Sequence, residues 1–146
     1  MLEKLIEQTN QHTILDMEAS IEHLTRGTIR HVDQLLVVTE PYYRSLETAG
    51  RTVPLAYELG IKQVHVVANK VRSPQDEEAI RRYCAERNFE IIGVLPYDNE
   101  VLEADQAGLP LLDRKPDSNY VKEVSKLMDR ILGVHQNENE NQKQTA

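Results

Sequence analysis

Residues 34–40 read QLLVVTE, residues 63–69 read QVHVVAN and residues 90–96 read EIIGVLP. Each is a short apolar run rich in β-branched side chains and bounded by polar or turn-forming residues. The first and third are nearly all apolar rather than alternating, the pattern of strands buried on both faces of a parallel sheet. A shorter run of the same kind, HTIL at residues 12–15, ends at Asp16. The expectation is therefore four strands.

Helical segments lie between the runs. Residues 43–59 form one, and Gly60 supplies the left-handed turn that closes it. Pro54 interrupts this helix; its ring meets the carbonyl four residues back, and that residue is Gly50, which leaves room for a kink. Residues 74–87 form a second helix. Ser73 caps it, Pro74 fits its first turn, and Asp76, Glu77 and Glu78 suit the positive end of its dipole. Residues 118–132 form a third, with Val121, Val124, Leu127, Met128, Ile131 and Leu132 in one apolar stripe. Residues 1–10, MLEKLIEQTN, place Leu2, Leu5 and Ile6 at helical spacing. Strand and helix in alternation give an α/β domain with helices on both faces of the sheet and right-handed crossovers. That domain takes in residues 1–134. The polar stretch 135–146, which ends HQNENENQKQTA, lacks core-forming residues and reads as disordered.

The composition agrees. The chain has 146 residues, enough for one domain, with 40% hydrophobic and 28% charged residues, values of a globular protein rather than a disordered one. No apolar run approaches the ~20 residues of a membrane span, and no signal peptide opens the sequence. Lys and Arg number 17 against 24 Asp and Glu, a net charge of -7, which disfavours broad contact with nucleic acid or anionic lipid. A single cysteine, Cys84, excludes an internal disulfide or a self-contained cysteine metal cluster. A cytoplasmic location is the expectation.

In parallel sheets, ligands bind at the carboxyl ends of strands. Those positions hold DMEAS (16–20), TEP (39–41), NKVRS (69–73) and PYDNE (96–100), all polar or turn-forming. Strand ends also lead into polar loops for no functional reason. An acidic residue at the position of Asp16 holds the water shell of magnesium in phosphate-binding α/β proteins; it is also an ordinary turn or N-cap residue. Glu18 and Glu22 lie four apart on one helix face, suited to acid–base work or, more commonly, to water. His23 reads as a ligand, a base or a half-buried surface histidine. Asn69 offers both a donor and an acceptor, the pair needed for an adenine edge, or else serves as a turn asparagine. Cys84 and His65 read as structural.

The six glycines stand apart at 27, 50, 60, 93, 108 and 133, so these residues hold no GxxxxGK[ST] loop to cradle a triphosphate. GxSxG, HExxH and CxxC are likewise absent.

Four longer segments carry a family resemblance: ILDMEASIEHLTRGT (14–28), VDQLLVVTEPYYRSLETAGR (32–51), ELGIKQVHVVANKVRS (58–73) and GVLPYDNEVLEADQAGLPLLD (93–113). In this order, through most of residues 1–133, they resemble the CooC-type accessory ATPases, which help insert nickel into carbon monoxide dehydrogenase. Those belong with the MinD/ParA-like and nitrogenase-iron-protein-like P-loop ATPases. The resemblance implies a partial P-loop NTPase fold, a doubly wound and mainly parallel sheet lacking the P-loop strand. It also implies ATP and magnesium as ligands of the full family. Asp16 becomes the switch II aspartate near magnesium and the γ-phosphate, with Glu18, Ala19 and Ser20 continuing switch II. Ser20 stands where the family usually has glycine, whose backbone freedom serine lacks. Asn69 contacts adenine, and Pro96, Tyr97 and Asp98 form the loop packed on the base. Arg26, Gly27 and Thr28 match the family motif without an assigned chemical step.

The family's chain is nearly twice as long. Its amino-terminal half carries the P-loop, the switch I aspartate and a Cys-X-Cys pair that binds nickel or zinc across a dimer interface; none of these is in the present sequence, and Cys84 does not replace the pair. The expectation is a carboxy-terminal half, inactive alone, whose partners are a second copy or a complementary P-loop half and carbon monoxide dehydrogenase or a related metalloenzyme. Losing the P-loop strand between 12–16 and 34–40 makes the remaining strands close up across a gap or leave unpaired apolar edges. Two other readings remain: a non-enzymatic interaction module pairing with a separate P-loop half, and a fragment of a ParA/MinD-type positioning ATPase. MinD proteins usually end in a basic amphipathic helix, unlike the tail here.

Overall fold

The computed structural model describes residues 12–17 and 32–144, with side chains through residue 133. The elements run β1 (Gln34–Thr39), α1 (Tyr43–Glu58), β2 (Gln63–Val71), α2 (Pro74–Ala85), β3 (Ile91–Pro96), α3 (Asn99–Gln106), α4 (Leu111–Arg114) and α5 (Asn119–Gln144). The three strands form one parallel sheet in the order β1-β2-β3. The expected helix over 1–10 lies outside the described residues, as do Glu18, Ala19, Ser20, Glu22, His23 and Arg26 to Thr28.

Alternation along β1 and β2 sorts the core into two layers. Val37, Val64, Val66 and Ala68 face α1 and α2, where they bury Leu46, Ala49, Val53, Ala56, Ile80 and Cys84. Val67, with Ile92 and Leu95 of β3, meets Leu127 of α5 on the opposite face. Helices thus cover both faces. Fully burying side chains of the size of Ile61, Ile80 or Val53 stabilises by roughly 1.5–3 kcal/mol each.

Each of the first three long helices ends in the same way. Gly60 N–H donates to the Tyr57 carbonyl and Ile61 N–H to the Ala56 carbonyl, both at 3.0 Å, with Gly60 at φ 98°. Asn88 with Phe89 ends α2 by the same paired bonds, and Gly108 with Leu109 ends α3. These are Schellman turns, in which a left-handed residue lets two successive N–H groups reach back to orphan carbonyls. At the start of α2, Asp76 N–H donates to Ser73 Oγ at 3.2 Å, the cap that the sequence predicts.

Two expectations change and one is extended. Residues 12–16 are not a strand: the stretch 12–17 is irregular, and Ile14 is 93% exposed. HTIL has the local pattern of a strand, but a strand is stabilised by its neighbour, and among the described residues β1 pairs with β2 only. Helix α5 does not stop at residue 132 but continues to Gln144, so residues 135–144 are helical rather than disordered. Past Gly133 the sequence has neither Gly nor Pro, and Glu, Gln and Lys are good helix formers. Gly50 also serves a second purpose. A Cβ there would lie 2.2 Å from the Tyr83 hydroxyl, so this glycine lets α2 approach α1.

Candidate functional site

The carboxyl ends of β1, β2 and β3 lie along one edge of the sheet. At β1, the buried Thr39 places Oγ1 3.0 Å from Ser45 Oγ, and Glu40 N–H donates to the same Ser45 oxygen at 2.9 Å. The turn TEP is thereby fixed against the first turn of α1, and Tyr42 and Tyr43 are exposed beside it.

At β2 the ladder with β3 slips between Ala68 and Val71, and Lys70 has φ 55°. A lysine in the left-handed region is uncommon and strained; bulges of this sort re-aim side chains beside functional sites. Asn69 occupies the bulge. Its Oδ1 accepts from the Lys70 backbone N–H at 2.9 Å and from the Tyr120 hydroxyl at 3.5 Å. Its Nδ2 has no hydrogen-bond partner among the described residues. Lys70 Nζ reaches back to Glu40 Oε1 at 2.6 Å, tying the β2 turn to the β1 turn. That hydrogen bond and the carboxylate charge hold the Lys70 ammonium pKa above its ordinary value.

At β3, Tyr97 N–H donates to the Val71 carbonyl at 2.8 Å, so the loop Pro96–Asp98 extends the edge next to β2. The Arg72 guanidinium stacks over the Tyr97 ring, 4.1 Å from its centre, an attraction of cation to ring quadrupole. Asp98 caps α3: Glu100 N–H donates to its Oδ1 at 3.0 Å.

The structure therefore brings four of the sequence-predicted residues, Asn69, Pro96, Tyr97 and Asp98, to one edge. Asp98 spends its carboxylate on the cap. Tyr97 carries Arg72 on its ring, so a base stacking there would meet the arginine first. Asp16 is exposed on the irregular stretch 12–17 and makes no hydrogen bond or ion pair with another described residue. Sequence reasoning passed over Arg72 and Tyr120. Arg72 carried a signal, its place in NKVRS at a strand end. Tyr120 carried none, because it comes from the start of α5, 51 residues from Asn69.

His65 and Cys84 are buried, as their mid-element positions suggest. His65 Nδ1 lies 2.9 Å from Glu90 Oε2, and burial raises the Cys84 thiol pKa. A surface hollow of about 490 Å³, lined by Pro74, Gln75, Glu78, Ala79 and Arg82, lies on the outer face of α2 and not at the strand ends.

No family model matches the sequence. Known proteins do. The chain is 41% identical over 133 residues to an ATP-binding protein of Methanocaldococcus jannaschii, covering 90% of this chain and 50% of that protein. It is 41% identical over 116 residues to the carbon monoxide dehydrogenase accessory protein CooC of Rhodospirillum rubrum, covering 80% of this chain and 43% of that one. Among solved structures, the MinD cell division protein of Aquifex aeolicus superposes with a TM-score of 0.62 at 17% identity, over 73% of this chain and 46% of that chain. A ParA family ATPase of Chlorobium tepidum TLS gives 0.61 at 23%, over 77% and 47%. The fold is thus part of the MinD/ParA P-loop NTPase fold. The chain spans about half the length of the curated relatives it matches. No helix among the described residues is long and apolar enough to cross a membrane.

Proposed function

We propose, from the kinship of this chain with the CooC and MinD/ParA ATPases, that these 146 residues form the adenine side of a CooC-type ATP-binding protein and that the assembled protein serves nickel insertion into carbon monoxide dehydrogenase or a related metalloenzyme. The observation that carries the reading is the strained bulge at Asn69 and Lys70, which lies at a ligand-binding edge in a parallel sheet. The Asn69 carboxamide has an Nδ2 without a hydrogen-bond partner among the described residues there, with Pro96 to Asp98 alongside. The 41% identity to CooC over 116 residues supports reading this edge as the adenine side of an ATP site.

In this reading Asn69 meets the base and the 96–98 loop flanks it. The Lys70–Glu40 pair holds the two neighbouring turns at a fixed spacing. Asp16, with Glu18, Ala19 and Ser20 after it, serves as switch II at the phosphate and magnesium side. Magnesium, when bound with ATP, neutralises charge on the phosphates. The backbone N–H cradle and lysine that hold a triphosphate have no counterpart in the sequence, so these residues alone bind ATP poorly and do not hydrolyse it. The working species is a dimer.

The test is complementation. The chain is joined to the phosphate-loop-bearing half of Rhodospirillum rubrum CooC, and magnesium-dependent ATP hydrolysis is measured for the chimera and for the 146 residues alone. Hydrolysis by the chimera, its loss of ATP affinity on Asn69→Ala, and no hydrolysis by the 146 residues are expected. Turnover by the 146 residues alone contradicts the reading.

A second reading has its own observation. Strand β1, QLLVVT, carries no charge or proline to protect its outer edge, which has no strand partner among the described residues. Val38, whose side chain stands on the α5 face of this edge strand, is 57% exposed. An edge of this kind invites another strand, so the chain acts as a module that pairs with a separate P-loop half. Mixing the two halves as separate polypeptides and measuring their association by sedimentation tests it; halves that never associate contradict it.

A further inference from the structure

We propose that Tyr120 is a specificity-determining residue: by occupying the Asn69 amide oxygen, its hydroxyl leaves Asn69 to meet a purine through its NH2 group alone. The inference rests on the reading of Asn69 as the base-contacting side chain.

A free carboxamide pairs with adenine through both of its ends. On the N6/N7 edge its oxygen accepts from the exocyclic amine while its NH2 donates to N7, an arrangement that the same edge of a 6-oxo purine cannot match because its O6 and N7 are both acceptors. The amide oxygen accepts two hydrogen bonds at most. Here the Lys70 N–H takes one place at 2.9 Å, and the Tyr120 hydroxyl stands over the other at 3.5 Å, the long end of hydrogen-bond reach. The first is a backbone bond made inside the bulge, where Lys70 is held at φ 55°. The second comes from a side chain anchored independently of the edge. Ser118, itself buried, accepts from Val121 N–H at 3.2 Å and starts α5, and the Tyr120 ring packs against the layer formed by Val67, Ile92, Leu95 and Leu127. Burial raises the phenol pKa above its ordinary value, so the group keeps its proton at neutral pH and stays a donor. What Asn69 has left is a donor, and a donor finds an acceptor on adenine and on 6-oxo purines alike.

The native chain therefore separates adenine from hypoxanthine weakly at this position, and removing one hydroxyl sharpens it. The experiment is a titration of the 15N-labelled 146-residue chain with adenosine and with inosine, following the Asn69 side-chain amide by NMR, in wild type and in Tyr120→Phe. The substitution keeps the ring that packs in the core. Wild type is expected to bind both nucleosides within about threefold, and Tyr120→Phe to favour adenosine by about tenfold, since the freed lone pair accepts from the exocyclic amine. A ratio unchanged by Tyr120→Phe overturns the proposal and leaves the base-contact reading standing. So does a wild-type chain that already rejects inosine tenfold, a result needing no variant. If neither nucleoside moves the Asn69 amide in either protein, the base-contact reading fails and the proposal with it.

Discussion

Gly50 and Tyr83 meet where α1 and α2 cross, and the contact sets a sign that helix propensity alone would get wrong. In a helix interior, alanine is favoured over glycine by about 1 kcal/mol, so Gly50→Ala in isolation should stabilise. The added Cβ, however, would stand 2.2 Å from the Tyr83 hydroxyl and 3.3 Å from the ring carbon bearing it. Tyr83 must withdraw. It then gives up its hydrogen bond to Glu47 at 3.2 Å, roughly 0.5–1.5 kcal/mol, and its stack under Arg87 at 3.6 Å, about 0.5–1 kcal/mol. Overpacking adds roughly 1 kcal/mol more. Gly50→Ala should therefore destabilise by about 1–2 kcal/mol. In a Tyr83→Phe background the offending oxygen is gone, the nearest atom is a ring carbon that needs to give only slightly, and the same substitution should stabilise by about 0.5–1 kcal/mol. Urea unfolding of the four proteins in the cycle measures this. A coupling of about 2 kcal/mol corresponds to roughly a 1 M displacement of the midpoint at typical slopes. The reasoning is refuted if Gly50→Ala has the same effect in both backgrounds, or if it stabilises the protein that keeps Tyr83.

Removing the α2 cap by Ser73→Ala should cost about 1 kcal/mol, read as a lower urea midpoint with an unchanged slope; no loss would mean that the Asp76 N–H finds water instead. Ile80→Ala empties a fully buried position between α2 and the sheet and should cost roughly 2–5 kcal/mol, with under 1 kcal/mol counting against the described core. Stability should also fall in alkali. Burial raises the Tyr83, Tyr120 and Cys84 pKa values, and the hydrogen bond to Glu40 raises that of Lys70. Each folded-state group holds its proton longer than the unfolded chain does, so its contribution is complete below the unfolded pKa and is lost as pH climbs through the folded one. The thermal midpoint should decline from about pH 9 upward, and a flat profile to pH 11 would contradict these environments.

The three apolar runs at 34–40, 63–69 and 90–96 were legible as strands because both faces of a parallel sheet are covered, which removes the alternation and leaves a block of β-branched residues. Helix ends were legible where one residue decides them, as at Gly60 and Ser73. HTIL misled because its pattern is local while its pairing is not. Helices α3 and α4 were overlooked although Asp98 followed by Glu100 gives a start signal; eight and four residues of helix, set among Pro96, Gly108, Pro110 and Pro116, leave little periodicity to detect. At the site, the position of Asn69 was readable from the end of its strand. What its carboxamide can do was not, because that depends on a backbone slip at Lys70 and on a hydroxyl delivered from α5.

The central claim, that this edge receives the adenine ring, is tested most directly by photolabelling. The chimera carrying a phosphate loop is irradiated with 8-azidoadenosine triphosphate, and the labelled peptide is identified by mass spectrometry. Label on residues 69–72 or 96–98, suppressed by unlabelled ATP, is the predicted result. ATP-suppressible label confined to other residues, such as the outer face of α2 between Pro74 and Arg82, would contradict it.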